Sequence, residues 1–384
     1  MLSEQQKIIS YHGINEMSRR GTDLAMSYTG ISCFEDGAMM NNKVRVFSLI
    51  AVSAFLLLFL SCGSVTQSAK SGYYSVKYGL KGPYYLDNHK YKEGIEAFQE
   101  ELKANPENAE ANYYMGRLQL ADNHPKEAQP CLEKAATLSP QDADYHFWAG
   151  VAYGANGKKD LEFKSYQRAL ELESTHVEAL TYQGHVYLER SEYQKALDNY
   201  KRVLELDRDN PSALYNRALV LNRLKKSAEE RRAWIDYLSM YSSGPMARQA
   251  TIHLNDIGDF QYRNYLIGSR NITLESIRFE PVSPEIQKSS CESLDILGNI
   301  MKNNQKVSVH IVAYQKNNAK LAEARAKSVK SYLVKKFPEI DSSRLILSWF
   351  GLPEQIKTEK KIFKADESVN FITVVQEKRS ALNK

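Results

Sequence analysis

Between residues 75 and 242, small and aromatic positions recur every 34 residues in a single register. Gly82, Gly116, Gly150, Gly184 and Ala218 form one ladder of that spacing. Phe98, Leu132, Tyr166, Tyr200 and Trp234 form a second; Gly94, Ala128, Glu162, Ala196 and Glu230 form a third; Pro106 and Pro140 begin a fourth. A period of this length predicts paired antiparallel helices stacked into an open array of about five units. The small residues belong where helices cross. Glycine at Gly82, Gly116, Gly150 and Gly184 removes the Cβ at closest approach, at a helix-propensity cost of about 1 kcal/mol each. Ala128 and Ala196 keep the second helix of their units equally slim, and the aromatic ladder fills the gap between neighbours. Pro106 and Pro140 stop the second helices, and the Asn105–Asn108 and Asp209–Pro211 stretches supply polar turns. The pattern decays at both ends, as capping an open stack requires. A further helix over residues 245–254 is expected to close the array.

From Ile272 the period changes. Residues 272–279 read as a strand, 284–303 as an amphipathic helix, and 307–313 alternate like a strand. Residues 318–337 read as a second helix, and 344–349 and 369–375 as two more strands. A β-α-β-α-β-β order predicts an α/β sandwich with its helices on one face of the sheet.

The front of the chain follows neither pattern. Residues 1–38 are polar and aperiodic, and are expected to be a mis-assigned or disordered extension, with translation starting at Met39 or Met40. Lys43 and Arg45 precede an apolar run over residues 46–60 that ends in Ser61-Cys62-Gly63. That is the composition of an export signal, here residues 39–61, and the run falls short of the roughly 20 residues that span a bilayer. A short membrane anchor or a buried helix is the alternative. Residues 62–74 read as a flexible tether. The remaining divisions are the array at 75–242, a capping helix and linker at 243–271, the sandwich at 272–376 and a tail at 377–384.

Composition adds little to this outline. The 384 residues are 43% apolar and 25% charged, with a net charge of +5. The charge is unevenly spread: residues 75–242 hold 23 Lys and Arg against 26 Asp and Glu, whereas residues 266–384 hold 20 against 13, a surplus of +7. This basic stretch lacks the dense Lys/Arg stripe of a nucleic-acid interface, so a solvated surface is expected. Cys33, Cys62, Cys131 and Cys291 have no metal or disulfide spacing. Cys131 and Cys291 are expected to be small buried side chains. Gly154 to Lys159 is superficially like a phosphate loop, but it joins two helices and reads as a turn. No metal site, cofactor site, nucleophile–base pair or carboxylate pair stands out, which points away from an enzyme.

Three resemblances give the outline a function. The array resembles tetratricopeptide repeats, whose groove, lined by the first helices, holds peptide segments of a protein partner. The corresponding fifth and ninth positions include Tyr113, Arg117, Phe147, His185 and Tyr215. These are candidate partner contacts, and the alternative is that the aromatics are core. Phe59-Leu60-Ser61-Cys62 resembles the lipobox of bacterial lipoproteins, which implies that the Cys62 thiol accepts a diacylglyceryl group and that the membrane is bound through lipid. The absence of an aspartate after Cys62 implies the outer membrane, facing the periplasm.

Ile277-Arg278-Phe279, together with the Asn318-to-Ala326 stretch, resembles the OmpA-like peptidoglycan-binding domain. That family holds the cell-wall peptide between an aspartate and an arginine. The arginine maps to Arg325, in a motif that Asn318 opens. The aspartate is missing, because Ala313, Tyr314, Gln315 and Lys316 stand where the family has G-H-T-D. Asp366-Glu367-Ser368-Val369 likewise stands for N-R-R-V. The whole order resembles outer-membrane lipoproteins of type IX secretion and gliding assemblies. It implies a non-enzymatic envelope scaffold whose array binds an envelope protein while the last domain contacts peptidoglycan or another protein. The alternative is an outer-membrane assembly factor or periplasmic chaperone without peptidoglycan binding.

Overall fold

The structure, a computed structural model, describes residues 80–375. The export signal, Cys62 and the tether lie outside the described residues. The chain divides into two compact units, Met1–Ser191 and Glu192–Lys384, so the division falls inside the repeats.

After a helical turn pair at residues 80–87, the first unit holds α1 (Tyr91–Ala104), α2 (Ala109–Ala121), α3 (Pro125–Leu138), α4 (Ala143–Ala155), α5 (Lys159–Leu172) and α6 (Val177–Glu189). The second unit continues with α7 (Tyr193–Leu206), α8 (Pro211–Arg223), α9 (Ser227–Met240) and α10 (Gly244–Asp256). Two alternating devices start these helices. The even-numbered helices α2 to α8 begin at a side-chain cap: Asn108, Asp142, His176 and Asn210 accept the amides of Ala111, Tyr145, Ala179 and Ala213. Each such cap satisfies an amide that the helix itself cannot. The odd-numbered helices α1 to α9 have no side-chain cap. They follow a left-handed residue instead: His89 (φ 55°), Asn123 (63°), Gly157 (75°), Ser191 (60°) and Lys225 (59°). Both sets are spaced by the same 34 residues as the ladders.

The ladders pack as the period predicts. Phe98 and Leu132 are fully buried and Tyr166 is 1% exposed in the first unit, and Tyr200 and Trp234 are fully buried in the second. A Cβ on Gly82 would lie 2.2 Å from the Tyr114 ring, one on Gly116 2.5 Å from Leu132, and one on Gly150 2.6 Å from Tyr166. Gly184, Ala128 and Ala196 are buried at their places in α6, α3 and α7. The third ladder carries two acids. Glu162 and Glu230 are 7% and 2% exposed, and each has a ring with a polar edge four residues on. The Tyr166 hydroxyl donates to Glu162 at 3.4 Å and the Trp234 indole to Glu230 at 3.3 Å. Glu230 also accepts from Asn222 at 2.8 Å. The Lys159 ammonium lies 3.1 Å from Glu162 and 3.0 Å from Glu189.

Beyond α10 the second unit holds β1 (Tyr262–Ile267), β2 (Arg270–Glu275), α11 (Cys291–Asn303), β3 (Val307–Gln315), α12 (Ala319–Lys336), β4 (Leu345–Phe350), β5 (Glu354–Lys357), β6 (Ile362–Ala365) and β7 (Glu367–Val375). The central sheet runs β4-β3-β7, with β4 parallel and β7 antiparallel to β3. Val309, Ile311 and Ala313 of β3 meet Ala322, Ala326, Val329 and Leu333 of α12 in the core, so the helices cover one face as expected.

Four expectations change. The hairpin β1–β2 starts inside the stretch assigned to the linker, and burial of Tyr262, Tyr265 and Ile267 breaks the strict alternation that would have marked a strand. The first helix of the domain begins at Cys291 rather than Pro284, because Ile286 pairs across to Phe279 in an isolated bridge. The hairpin β5–β6 is an addition to the expected strand order. Cys131 and Cys291 are free and half-buried rather than buried. Among the described residues, no helix is long and apolar enough to cross a membrane.

Candidate functional site

The inner positions of the first helices are mostly core, which corrects the expectation of an aromatic groove. Phe147 is 1% exposed, with Tyr166 at 5.7 Å and Tyr182 at 5.3 Å between ring centres. Tyr113 and Tyr215 are equally enclosed, Tyr215 between Trp234 and Tyr237. These rings are large enough to close the seam between consecutive helices, and burying one contributes about 1.5–3 kcal/mol. The ninth positions keep partial exposure. Arg117 lies 4.4 Å from the Trp148 ring centre and donates to the Tyr113 hydroxyl at 3.0 Å. His185 is half-buried, and burial pushes its imidazole down to about 4, so it is neutral at physiological pH.

Beside this strip sits a charged cluster that the candidate residues did not include. His176 faces Asp144 at 3.1 Å through Nε2 and Glu178 at 3.3 Å through Nδ1. Burial lowers its pKa, but the hydrogen bonds to both carboxylates win and hold it up at about 9. As a neutral ring His176 caps α6; as an imidazolium it donates to the two acids. The signal for it was the cap ladder Asn108, Asp142, His176, Asn210, which uses three residue types and is therefore faint.

In the terminal domain Arg325 is 4% exposed, and its Nη1 and Nε are engaged by its own chain. Its Nη1 donates to Gln315 Oε1 at 2.6 Å and Glu367 Oε2 at 2.7 Å, and its Nε donates to the Ser283 carbonyl at 3.1 Å. The Phe279 ring centre lies 4.8 Å below the guanidinium. Gln315 ends β3 and Glu367 starts β7, and the two are register partners, so α12 delivers the guanidinium onto the join of two strands. One residue outward, Lys316 pairs with Asp366 at 3.1 Å. Asn318 caps α12, accepting the Leu321 amide at 3.0 Å. Thus two ion pairs meet here: Lys316 faces an aspartate, and Arg325 faces a glutamate. Among the described residues, no three His, Cys, Asp or Glu side chains converge as a metal site would.

Family models match parts of both regions. Residues 85–147 and 143–176 match the tetratricopeptide repeat, residues 184–225 match the TPR repeat, and residues 278–367 match the OmpA family. BBSome complex member BBS4 of Bos taurus is 29% identical over 125 residues, covering 33% of this chain and 24% of that protein. Photosystem I assembly protein Ycf3 of Parasynechococcus marenigrum (strain WH8102) is 24% identical over 129 residues, covering 33% of this chain and 75% of that protein. The crystal structure of MamA shares 22% identity and a TM-score of 0.39, over 41% of this chain and 93% of MamA. The chain therefore carries tetratricopeptide repeats in an all-α superhelix, followed by an α/β domain that matches the OmpA family.

Proposed function

We propose that the chain is a non-catalytic scaffold of the cell envelope. Its repeats hold a segment of a protein partner, and lipid on Cys62 anchors it to the outer membrane on the periplasmic side. Its terminal domain contacts a second envelope protein rather than gripping peptidoglycan through Arg325. The joining of a repeat array to an OmpA-family domain supports the scaffold reading. The observation that carries the choice of contact is the guanidinium of Arg325, whose Nη1 and Nε are taken by Gln315, Glu367 and the Ser283 carbonyl. Charge-assisted bonds of this kind contribute about 1.5–3 kcal/mol each, and a wall peptide would have to displace them.

Sedimentation of the full chain with purified sacculi tests this. We expect the protein to stay in the supernatant. Pelleting that is abolished by Arg325→Ala would overturn the choice of contact. Glu367→Ala asks whether the internal carboxylate is what closes the site: if this variant pellets while the parent does not, the wall contact is latent in the fold.

A further inference from the structure

We infer that the last repeat helices and the terminal domain are locked into one body, with the β5–β6 hairpin as the latch, so that no hinge separates the array's end from the OmpA-family domain. The stretch between them is short and saturated with contacts. α10 ends in a tight reversal: Gly258 N–H donates to the Asn255 carbonyl at 2.9 Å and Asp259 N–H to the Leu254 carbonyl at 3.1 Å. Gly258 takes a φ of 88°, the left-handed conformation such helix ends reserve for glycine. The second reason for glycine there comes from far along the chain. The Phe363 ring of β6 lies over it, and a Cβ would come within 2.7 Å of that ring. Phe363 also meets Phe260 edge-on at 5.3 Å.

Polar contacts fasten both sides of this ring pair. The Asp256 carboxylate, 6% exposed at the end of α10, has the Lys360 ammonium of the hairpin at 3.4 Å. Arg263 of β1 donates to both oxygens of Glu354 at 2.8 Å and to Asn370 at 2.7 Å. The two partners in that ion pair are only 11% and 13% exposed. On the helical side, Asn255 donates to the carbonyls of Asp259 and Tyr262, Asn264 donates to the Arg248 carbonyl at 2.9 Å, and Arg231 of α9 pairs with Asp259. His253 stacks on Trp234 with ring centres 5.0 Å apart. Side-chain contacts therefore run without a break from α9 through α10 and β1 to β7, the most enclosed of them at Arg263 and Glu354. The compact second unit accordingly begins at Glu192, within the repeats, and not at the start of the sandwich. A partner seated on the last repeats is held at a fixed attitude to the terminal domain.

Amide hydrogen exchange on the full chain tests the latch. Elements that open as one cooperative unit share one opening equilibrium, so amides in residues 250–256 and 262–275 should exchange with matching protection. Phe363→Ala should lower protection about tenfold in both stretches as well as in residues 354–365, a fraction of the loss that truncating a fully buried ring would cause, since this ring is half-buried. Lys360→Ala, on the surface, should move the same amides in the same direction by less. Loss confined to residues 354–365 in both variants, or unequal protection of the two stretches in the parent chain, would overturn the inference.

Discussion

Lys225 holds a φ of 59°, a conformation that costs a side chain with a Cβ roughly 1–2 kcal/mol. Its counterpart Gly157 holds the same turn without that cost. Replacing Lys225 by glycine should therefore stabilise the chain by about 0.5–1 kcal/mol, after allowing for the freer unfolded state. Thermal denaturation reads this directly, and a lower melting temperature would contradict the left-handed assignment. A second residue-level cost sits at Glu162. Burial is the largest influence on its carboxyl and raises its pKa, against the pull of Lys159. A carboxylate with a raised folded pKa stabilises least when ionised: its penalty is absent below the ordinary value near 4.5 and grows as pH rises toward the folded pKa. Gly154 makes the room for it, since a Cβ there would meet Oε1 at 2.6 Å. Glu162→Gln should thus be more stable than the parent by about 0.5–1 kcal/mol at pH 8 and indistinguishable near pH 4. Lys159 keeps Glu189 as a partner in that variant, so no charge is stranded.

Helices α2 to α9 were legible because glycine, alanine and aromatic residues repeat by type as well as by place. What decides whether an aromatic is core or groove is the approach of the next helix, and no single repeat records that. Phe147 is the test: Phe147→Ala should cost about 3–5 kcal/mol as a core truncation, seen as a large fall in denaturation midpoint, whereas a groove-lining ring would change stability by about 0.5 kcal/mol or less. The hairpin β5–β6 was illegible for a different reason. Its sequence, rich in lysine, has only Ile356, Ile362 and Phe363 as large apolar residues, and its stability comes from Gly258 and Phe260 about a hundred positions earlier. Arg325 was found by its motif, but its state was not. The Glu367 that engages it is 42 residues away in sequence and becomes its neighbour only when β7 pairs with β3.

For the whole molecule the question is whether one chain serves few partners or many. A scaffold whose inner strip is filled by its own rings has limited capacity to remould around diverse clients, since large buried side chains interlock with little free space. Crosslinking in cells should therefore trap the full chain with a few stable proteins, identified by mass spectrometry; a broad population of short-lived outer-membrane clients would instead establish the chaperone alternative. The slightly acidic repeats and the basic stretch after residue 265 have different electrostatic preferences, and adducts from each are expected to differ.

The interval shared by caps, left-handed turns and packing residues makes the array modular in the manner of a ruler. Removing residues 125–158 would join His124 to Lys159, one helix-start position to the first residue of the next equivalent helix. Every later turn would stay in phase. The length of the array is thus a quantity that deletion or duplication can adjust without redesigning the latch at Gly258 or the sheet beyond it. Reach toward a partner and grip at the terminal domain are separable properties, open to independent change.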